Sequence, residues 1–405
     1  MTSRTPKART ESKPLSTQRE VEDVCDQIVH LGRCGFDTEF VMEDRYAAEV
    51  CLIQLATDKG VFLVDPLGGV DPAPVWELVC SPKVEKITHA GQEDLGLAVR
   101  ACGRPPANVF DVQVAAGLIG FDYPLSLQKL VSALVRVRLH KSKTLTNWRQ
   151  RPLSEAQVQY AIEDVAYLLP MRDSLQKRLS QRGRMEWARE EFKRLEDPRL
   201  YLRSDEQPVS RVKGAGSLEG QALAVANELA LWREALAMRL NRPVRAVLKD
   251  HLLVEIARHG MTSVAEIQHL RGINLSRRDL QGLCEVVRNA LAQPAKEASQ
   301  RRAQRASELP GEAAAIGLAT SVAQNYCMEN EIAYGMATSR RAIGELVRYR
   351  RDPQVDAAMP ELLSGWRGQS IGRVLDDVLR GRLMVRVDPH GRDGPPLSLT
   401  PANPH

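Results

Sequence analysis

Two carboxylates stand two residues apart in Asp37-Thr38-Glu39, at the end of an apolar stretch, and an extended chain turns residues so spaced to one face. There they can share a metal ion. Asp94 falls near the start of a helix predicted from about Gln92 to Ala101, while Tyr160 and Asp164, four apart, share a face of a helix predicted over Ser154 to Leu168. Singly these are ordinary: an isolated Asp-x-Glu is more often a solvated strand end, and a carboxylate at a helix start is a favourable partner for the dipole. Together, four carboxylates on a strand and two helices of one domain make a hard oxygen donor set suited to Mg²⁺ or Mn²⁺ and not to zinc. Four carboxylates and a phenol are also what two-metal phosphodiester hydrolysis requires, with ions about 3.5–4 Å apart holding the attacking water and the leaving 3′-oxygen in line. In that arrangement Asp37, on the rigid strand, is the candidate bridge between the ions. Glu39 and Asp164 favour the ion that activates water, Asp94 helps the other, and the Tyr160 hydroxyl positions the water. The ions lower the pKa of bound water, so no histidine base is needed. The eight histidines form no recognisable ligand cluster, and His89 reads as a structural residue at a strand end.

These side chains must be carried by strands and helices in one domain. Strands are predicted at Gly35 to Phe40, at Val50 to Ala56 and Val61 to Val64 around the turn Thr57-Asp58-Lys59-Gly60, and at Lys86 to His89. Ser16 or Thr17 can cap a first helix to about His30, and further helices are predicted over Val109 to Ile119 and Ser126 to Leu134. Strands first and mixed elements after them predict an α+β or α/β domain. Residues 1–15 read as a disordered tail, 16–204 as the domain with the acidic residues, 205–216 as a linker and 217–293 as all-helical. A basic linker at 294–308, a second helical stretch of similar size at 309–387 and a loose, proline-rich tail at 388–405 complete the chain.

Composition narrows the class. With 405 residues, 43% hydrophobic and 26% charged, the chain fits two or three globular domains and neither a disordered nor a fibrous protein. No apolar run approaches the roughly 20 residues of a membrane helix, and the polar, basic N-terminus does not read as a secretory signal, so a cytoplasmic protein with no membrane partner is expected. Seven scattered cysteines without a Cys-x-x-Cys pair read as reduced thiols. The net charge of +5 is concentrated: residues 205–305 hold 16 Lys and Arg against 11 Asp and Glu, which suits a polyanion. Gly214, Gly216 and Gly220 miss the dinucleotide fingerprint by one residue, and there is no Walker loop, so ATP is not expected.

Phe36-Asp37-Thr38-Glu39-Phe40, His89-Ala90-Gly91-Gln92-Glu93-Asp94-Leu95 and Tyr160-Ala161-Ile162-Glu163-Asp164-Val165 resemble the three motifs of the DEDD 3′→5′ exonucleases. Cys51-Leu52-Ile53-Gln54-Leu55-Ala56, Phe110 to Ala116 and Asn147 to Leu153 resemble ribonuclease D in particular. Gln159 stands where one subtype has histidine and Tyr160 stands four before Asp164, which is the tyrosine subtype. Leu229 to Arg233, Asn241-Arg242-Pro243 and Asp250 to Ala257 are similar to the helicase-and-ribonuclease-D C-terminal (HRDC) domain, and Leu362 to Arg367 resembles a diverged second copy. The resemblance implies an α/β protein: a ribonuclease-H-like mixed-sheet exonuclease domain followed by two all-helical domains. It also implies trimming of RNA with a single-stranded 3′ end, tRNA precursors among them, with two Mg²⁺ or Mn²⁺ ions. Arg239, Arg242, Arg245, Lys249, Arg277 and Arg278 are candidate phosphate contacts, and Phe121 or Tyr123 a candidate base-stacking surface, although core packing explains the aromatics as well. Two departures stand out: residues 41–49 lack the usual basic and Tyr-aromatic-Pro run, and Asn147 replaces an aspartate before Trp148. A DNA exonuclease of the same superfamily and a non-catalytic RNA-binding adaptor are the alternatives.

Overall fold

The computed structural model describes residues 9–10, 13–139, 147–201, 208–293, 310–351, 358–388 and 394–402. Most of the expected N-terminal tail, residues 205–207 of the first linker and the whole linker at 294–308 lie outside them. The chain folds as two compact units, one of residues 1–39, 51–201 and 308–405, the other of residues 40–50 and 202–307.

The first unit is built on a six-stranded sheet: β1 (Arg9–Thr10), β2 (Arg33–Val41), β3 (Glu49–Thr57), β4 (Gly60–Val64), β5 (Glu85–Thr88) and β6 (Val109–Asp111), in the order β1-β4-β3-β2-β5-β6. β3 and β4 are antiparallel, whereas β5 runs parallel to both β2 and β6, so the sheet is mixed. Helices α1 (Gln18–Leu31), α2 (Ala73–Cys80), α3 (Gln92–Cys102), α4 (Val112–Gly117), α5 (Leu127–Val135), α6 (Glu155–Ala166), α7 (Leu168–Gln181) and α8 (Met185–Leu195) accompany it. Their starts are encoded locally. Thr17 caps α1 and Ser154 caps α6, each in a reciprocal box with the residue three further on, Glu20 and Gln157. Leu15, expected in the tail, is instead buried and bridges to Val64.

The expected helix over Val109 to Ile119 is corrected to a strand followed by a helix. Val109 to Asp111 pair with Lys86 to Thr88, and Asp111 accepts from the backbone N–H of Gln113 (2.8 Å) and Val114 (3.1 Å) to start α4. A continuous apolar run does not distinguish a buried strand from a buried helix, and the capping aspartate in its middle was the boundary.

The second unit contains α9 (Gly220–Leu240), α10 (Val244–Val247), α11 (Asp250–His259), α12 (Val264–Gln268) and α13 (Arg277–Ala292) around a core that includes Leu229, Leu253, Ile256, Leu283 and Val287. Residues 208–216 are not a linker. Val209, Val212 and Ala215, three apart in and between two short 3-10 turns, are buried in that core. Residues 40–50 belong here too: the Tyr46 hydroxyl donates to Glu234 (2.8 Å), and its ring packs beside Leu236, Ala237 and Val247.

After it come α14 (Pro310–Asn330), α15 (Tyr334–Ala337), α16 (Arg340–Arg351), α17 (Gly365–Gln369) and α18 (Ile371–Leu379), then β7 (Leu383–Val387) and β8 (Leu397–Pro401). The two helical series repeat one plan. A 21-residue helix leads to a 4-residue one and then to one of 10 or 12 residues, in α9–α11 and again in α14–α16. The second series is nonetheless part of the first unit. The Ala333 N–H donates to the Gly117 carbonyl (2.8 Å), and Arg184 donates to the carbonyls of Leu118 (2.8 Å) and Glu331 (3.0 Å). Glu191 on α8 accepts from the Trp366 indole (2.7 Å) and pairs with Arg367, both partners of the ion pair being under 10% exposed. Trp187 stacks on Trp366 with ring centroids 4.8 Å apart. The expected loose C-terminal tail is corrected as well, because Leu397 to Pro401 pair antiparallel with Leu383 to Val387. Proline content had masked the alternation of that strand.

Removing one member of a buried, hydrogen-bonded ion pair strands the other charge. Glu191→Leu should therefore lower unfolding stability by about 3–5 kcal/mol, whereas Glu186→Leu, which removes an exposed pair with Arg189, should cost less than about 1 kcal/mol. Denaturant unfolding of the two variants checks this, and equal effects would refute it.

Candidate active site

The acidic residues reach one place by three routes. β2 extends far enough to carry both Asp37 and Glu39, and period-2 geometry gives them one face. α6, fixed at its start by the Ser154 cap, carries Tyr160 and Asp164 on successive turns. Asp37, Glu39 and Asp164 each present a carboxylate oxygen such that all three lie within 4.8 Å of one another. Asp94, the third residue of α3 and 8% exposed, stands outside that triplet. It is joined to the site by the Thr38 hydroxyl, which donates to its carboxylate. The Tyr160 hydroxyl bonds Asp164, and its ring lies 5.9 Å from that of Trp148.

Burial and mutual repulsion dominate the electrostatics. Burial raises the Asp37 carboxyl well above the ordinary carboxylate range, and the charges of Asp94, Asp164 and Glu39 raise it further. Glu39 is pushed up to about 8 by burial, then by Asp164 and Asp94. Asp164 is pushed up to about 7 by burial, opposed by the hydrogen bond from Tyr160. Asp94 is raised by burial, and the Thr38 hydroxyl works against it. The Tyr160 phenol is raised by burial and by Asp164, so it remains a hydroxyl donor.

Several residues that hold this arrangement carried no catalytic signal of their own. Asp111, 1% exposed, accepts from the Gly91 N–H (3.0 Å) and the Thr88 hydroxyl (3.2 Å), which pins the turn from β5 into α3. Gly91 is required there because a Cβ would lie 2.5 Å from that of Thr88. Arg151 donates to both oxygens of Asp65 (2.6 and 2.7 Å) and to the carbonyls of Cys51, Trp148 and Gln150, locking the turn ahead of α6. The sequence offered these only as filler between motifs. The His89 ring nitrogen Nε2 bonds the Leu125 carbonyl (2.9 Å), a structural partner. Asn147 accepts from the Arg149 N–H (3.1 Å) with the side-chain oxygen an aspartate would also offer. Phe121 and Tyr123 line a cavity of about 880 Å³ with Tyr334 and Met328, and the Arg178 guanidinium lies 6.0 Å from the Phe121 ring.

In the second unit, Arg239 pairs with Asp279 (2.5 Å) and Arg245 with Asp250 (3.1 Å). Arg242, Lys249, Arg277 and Arg278 are exposed, and no ion pair to another described residue occupies them.

A mixed sheet with converging carboxylates is the arrangement of a 3′-5′ exonuclease, and residues 13–180 match the family model of that description; residues 222–282 match the HRDC domain. The chain is 33% identical to the ribonuclease D of Gluconacetobacter diazotrophicus, over 92% of this chain and 94% of the relative. It is 31% identical to that of Acidiphilium cryptum, over 90% and 92%. Among solved structures, Escherichia coli RNase D, "an exoribonuclease involved in structured RNA processing", superposes with a TM-score of 0.77 at 27% identity, over 92% of this chain and 99% of that one. The chain belongs to the ribonuclease D family and is a hydrolytic exoribonuclease acting from the 3′ end.

Native Glu39 and Asp164 hold protons up to about pH 8 and 7, whereas unfolded carboxyls release theirs near 4.5 and 3.8. Their contribution to stability is thus fully present below the unfolded values and is lost as the pH rises through the folded ones. With no divalent ion present, the melting temperature should fall between pH 6 and pH 8, and the fall should be smaller in Asp164→Asn, which removes a titrating group and its repulsion. Parallel profiles for the two proteins would contradict this account of the site.

Proposed function

We propose that Asp37, Glu39, Asp94 and Asp164 hold two divalent cations, Mg²⁺ or Mn²⁺, and that the chain trims single-stranded 3′ ends of structured RNAs, tRNA precursors among them. The carrying observation is the convergence of three partly buried carboxylates within 4.8 Å in a ribonuclease D chain. The donor set fits hard cations: all its atoms are oxygens, and burial with like-charge repulsion leaves the carboxylates short of positive charge. When bound, such ions stabilise the charge that develops on the phosphate and lower the pKa of the attacking water. Asp37, on the rigid strand β2 and close to the charges of Asp94, Asp164 and Glu39, would be the ligand shared by the two ions. Glu39 and Asp164 would help hold the ion that activates water, and Asp94, steadied by the Thr38 hydroxyl, would help hold the other. Tyr160, a hydroxyl at neutral pH and bonded to Asp164, orients the water. Asp164 in turn stands four residues on from Tyr160, so one helix fixes both.

The exposed Arg242, Lys249, Arg277 and Arg278 of the HRDC region supply contacts to the phosphate backbone, which carry affinity and no sequence preference. The repeated 21-residue-led helical plan supports reading residues 309–387 as a second, diverged HRDC-like module. Seven free cysteines, six of them buried, suit the reducing cytoplasm.

Degradation of 5′-labelled single-stranded RNA and DNA of one sequence, with Mg²⁺ or Mn²⁺, tests the substrate and the chemistry together. RNA should be shortened from its 3′ end, faster than DNA, and a chelator should stop it. Asp37→Asn and Asp164→Asn should each lower turnover at least about 10³-fold, the loss of some 4 kcal/mol of transition-state stabilisation, while RNA binding is retained. Faster loss of DNA, or unchanged turnover in either variant, would overturn the reading.

A further inference from the structure

We propose that Gln54 is a positioning residue for the cation-binding carboxylates: its carboxamide, unpaired in the structure, would turn to donate to Asp37 across the strand pair β2–β3 when the site holds cations. The inference rests on the metal site proposed above and adds a residue to it.

Gln54 is fully buried, yet neither Nε2 nor Oε1 meets a hydrogen-bond partner among the described residues. Other fully buried polar side chains of the sheet do: the Lys86 ammonium donates to the Ser81 and Val84 carbonyls, and the Thr88 hydroxyl to Asp111. Gln54 interrupts the apolar run of β3, Val50-Cys51-Leu52-Ile53 before it and Leu55-Ala56 after it. A leucine or methionine would fill the same space without burying an unpaired amide, so the amide needs a reason other than packing.

Its placement supplies one. β2 and β3 are neighbours in the sheet, joined by residues 42–48, and so short a connection is a hairpin and excludes a parallel crossover. A Cβ on Gly35 would lie 3.1 Å from that of Ala56, so those two residues oppose each other. Two residues forward along β2 is Asp37, and two back along β3 is Gln54; they too oppose each other, on the same face. Leu168 closes over that face at Gly35, and Asp164 meets Asp37 and Glu39 there. Side chains so opposed have Cβ atoms roughly 4.5–5.5 Å apart, within reach of a carboxamide. An N–H donated to one Asp37 oxygen would select which oxygen faces the cations, as partners behind metal ligands do. The amide carbonyl remains free to accept from a water beside the ligands.

Mn²⁺ binding to the full chain without RNA, read from the loss of the free-ion electron paramagnetic resonance signal, separates this inference from the reading beneath it. If the native chain leaves the signal unchanged, the metal site itself fails. With native binding established and lost in Asp37→Asn, Gln54→Leu should melt at or above the native temperature in chelator. It should bind Mn²⁺ about 10–100-fold more weakly and lose kcat with KM for RNA unchanged. Mn²⁺ affinity indistinguishable from native in a folded Gln54→Leu protein would show an amide with no part in the site and overturn the inference. Should Gln54→Leu fail to fold, Gln54→Asn keeps the amide but draws it back by one methylene and is expected to show the same weakening. Native affinity there, or an affinity that merely tracks a falling melting temperature, overturns the inference equally.

Discussion

Like charges resist being brought together, and the rest of the first unit can be understood as what it takes to do so. Asp37, Glu39, Asp94 and Asp164 are held close together and largely out of water, and their raised proton affinities reflect first that burial and then, most at Asp37 and Glu39, their mutual repulsion. A carboxylate on a mobile loop would swing out to solvent. Here Asp37 and Glu39 are on a strand, with β5 bonded along one side and β3 along the other, and Asp164 is in the third turn of a helix whose first turn is doubly capped. Protonation relieves the repulsion when nothing else does, and a divalent ion would relieve it without the proton.

The supporting contacts follow from that constraint. Asp111 and Gly91 fix the turn that delivers Asp94, and Arg151, by gathering Asp65 and three carbonyls, fixes the turn that delivers α6. Each is a charged or small residue placed where backbone direction changes, away from the acidic centre. The second helical series adds mass on another side. Its closing ion pair, Glu191 with Arg367, is covered by the Trp187–Trp366 stack, which lowers the local dielectric and makes that pairing more demanding of geometry.

The acidic motifs, the capped helices and the β3–β4 hairpin were legible in the sequence because each is specified by neighbours: Ser154 with Gln157, or Thr57 to Gly60 between apolar runs. Asp94 was legible as a residue but not in its manner of joining the site, since the Thr38 bridge links two distant segments. Val109 to Asp111 were misread because apolar runs lose their period when both faces are covered. Residues 208–216 looked like a linker because composition hides the three-residue spacing of Val209, Val212 and Ala215. The attachment of α14 to α18 to the sheet domain depends on carbonyls of Leu118 and Gly117, and backbone acceptors leave no mark in a sequence.

The two charged clusters of the first unit show one principle applied twice. At Glu191 the neutralising charge comes from the chain itself, and Arg367, held also by the Met336 and Ala337 carbonyls, closes the cluster permanently. At Asp37 no arginine or lysine of the described residues answers the carboxylates. An internal cation there would lower their proton affinity and stabilise the fold, but on the function proposed above it would also fill the position intended for divalent cations. Leaving the positive charge to come from solution keeps the cluster strained and receptive. That is also why the strain has to be confined by rigid elements: the same repulsion that draws in a cation would otherwise be spent in moving the side chains apart.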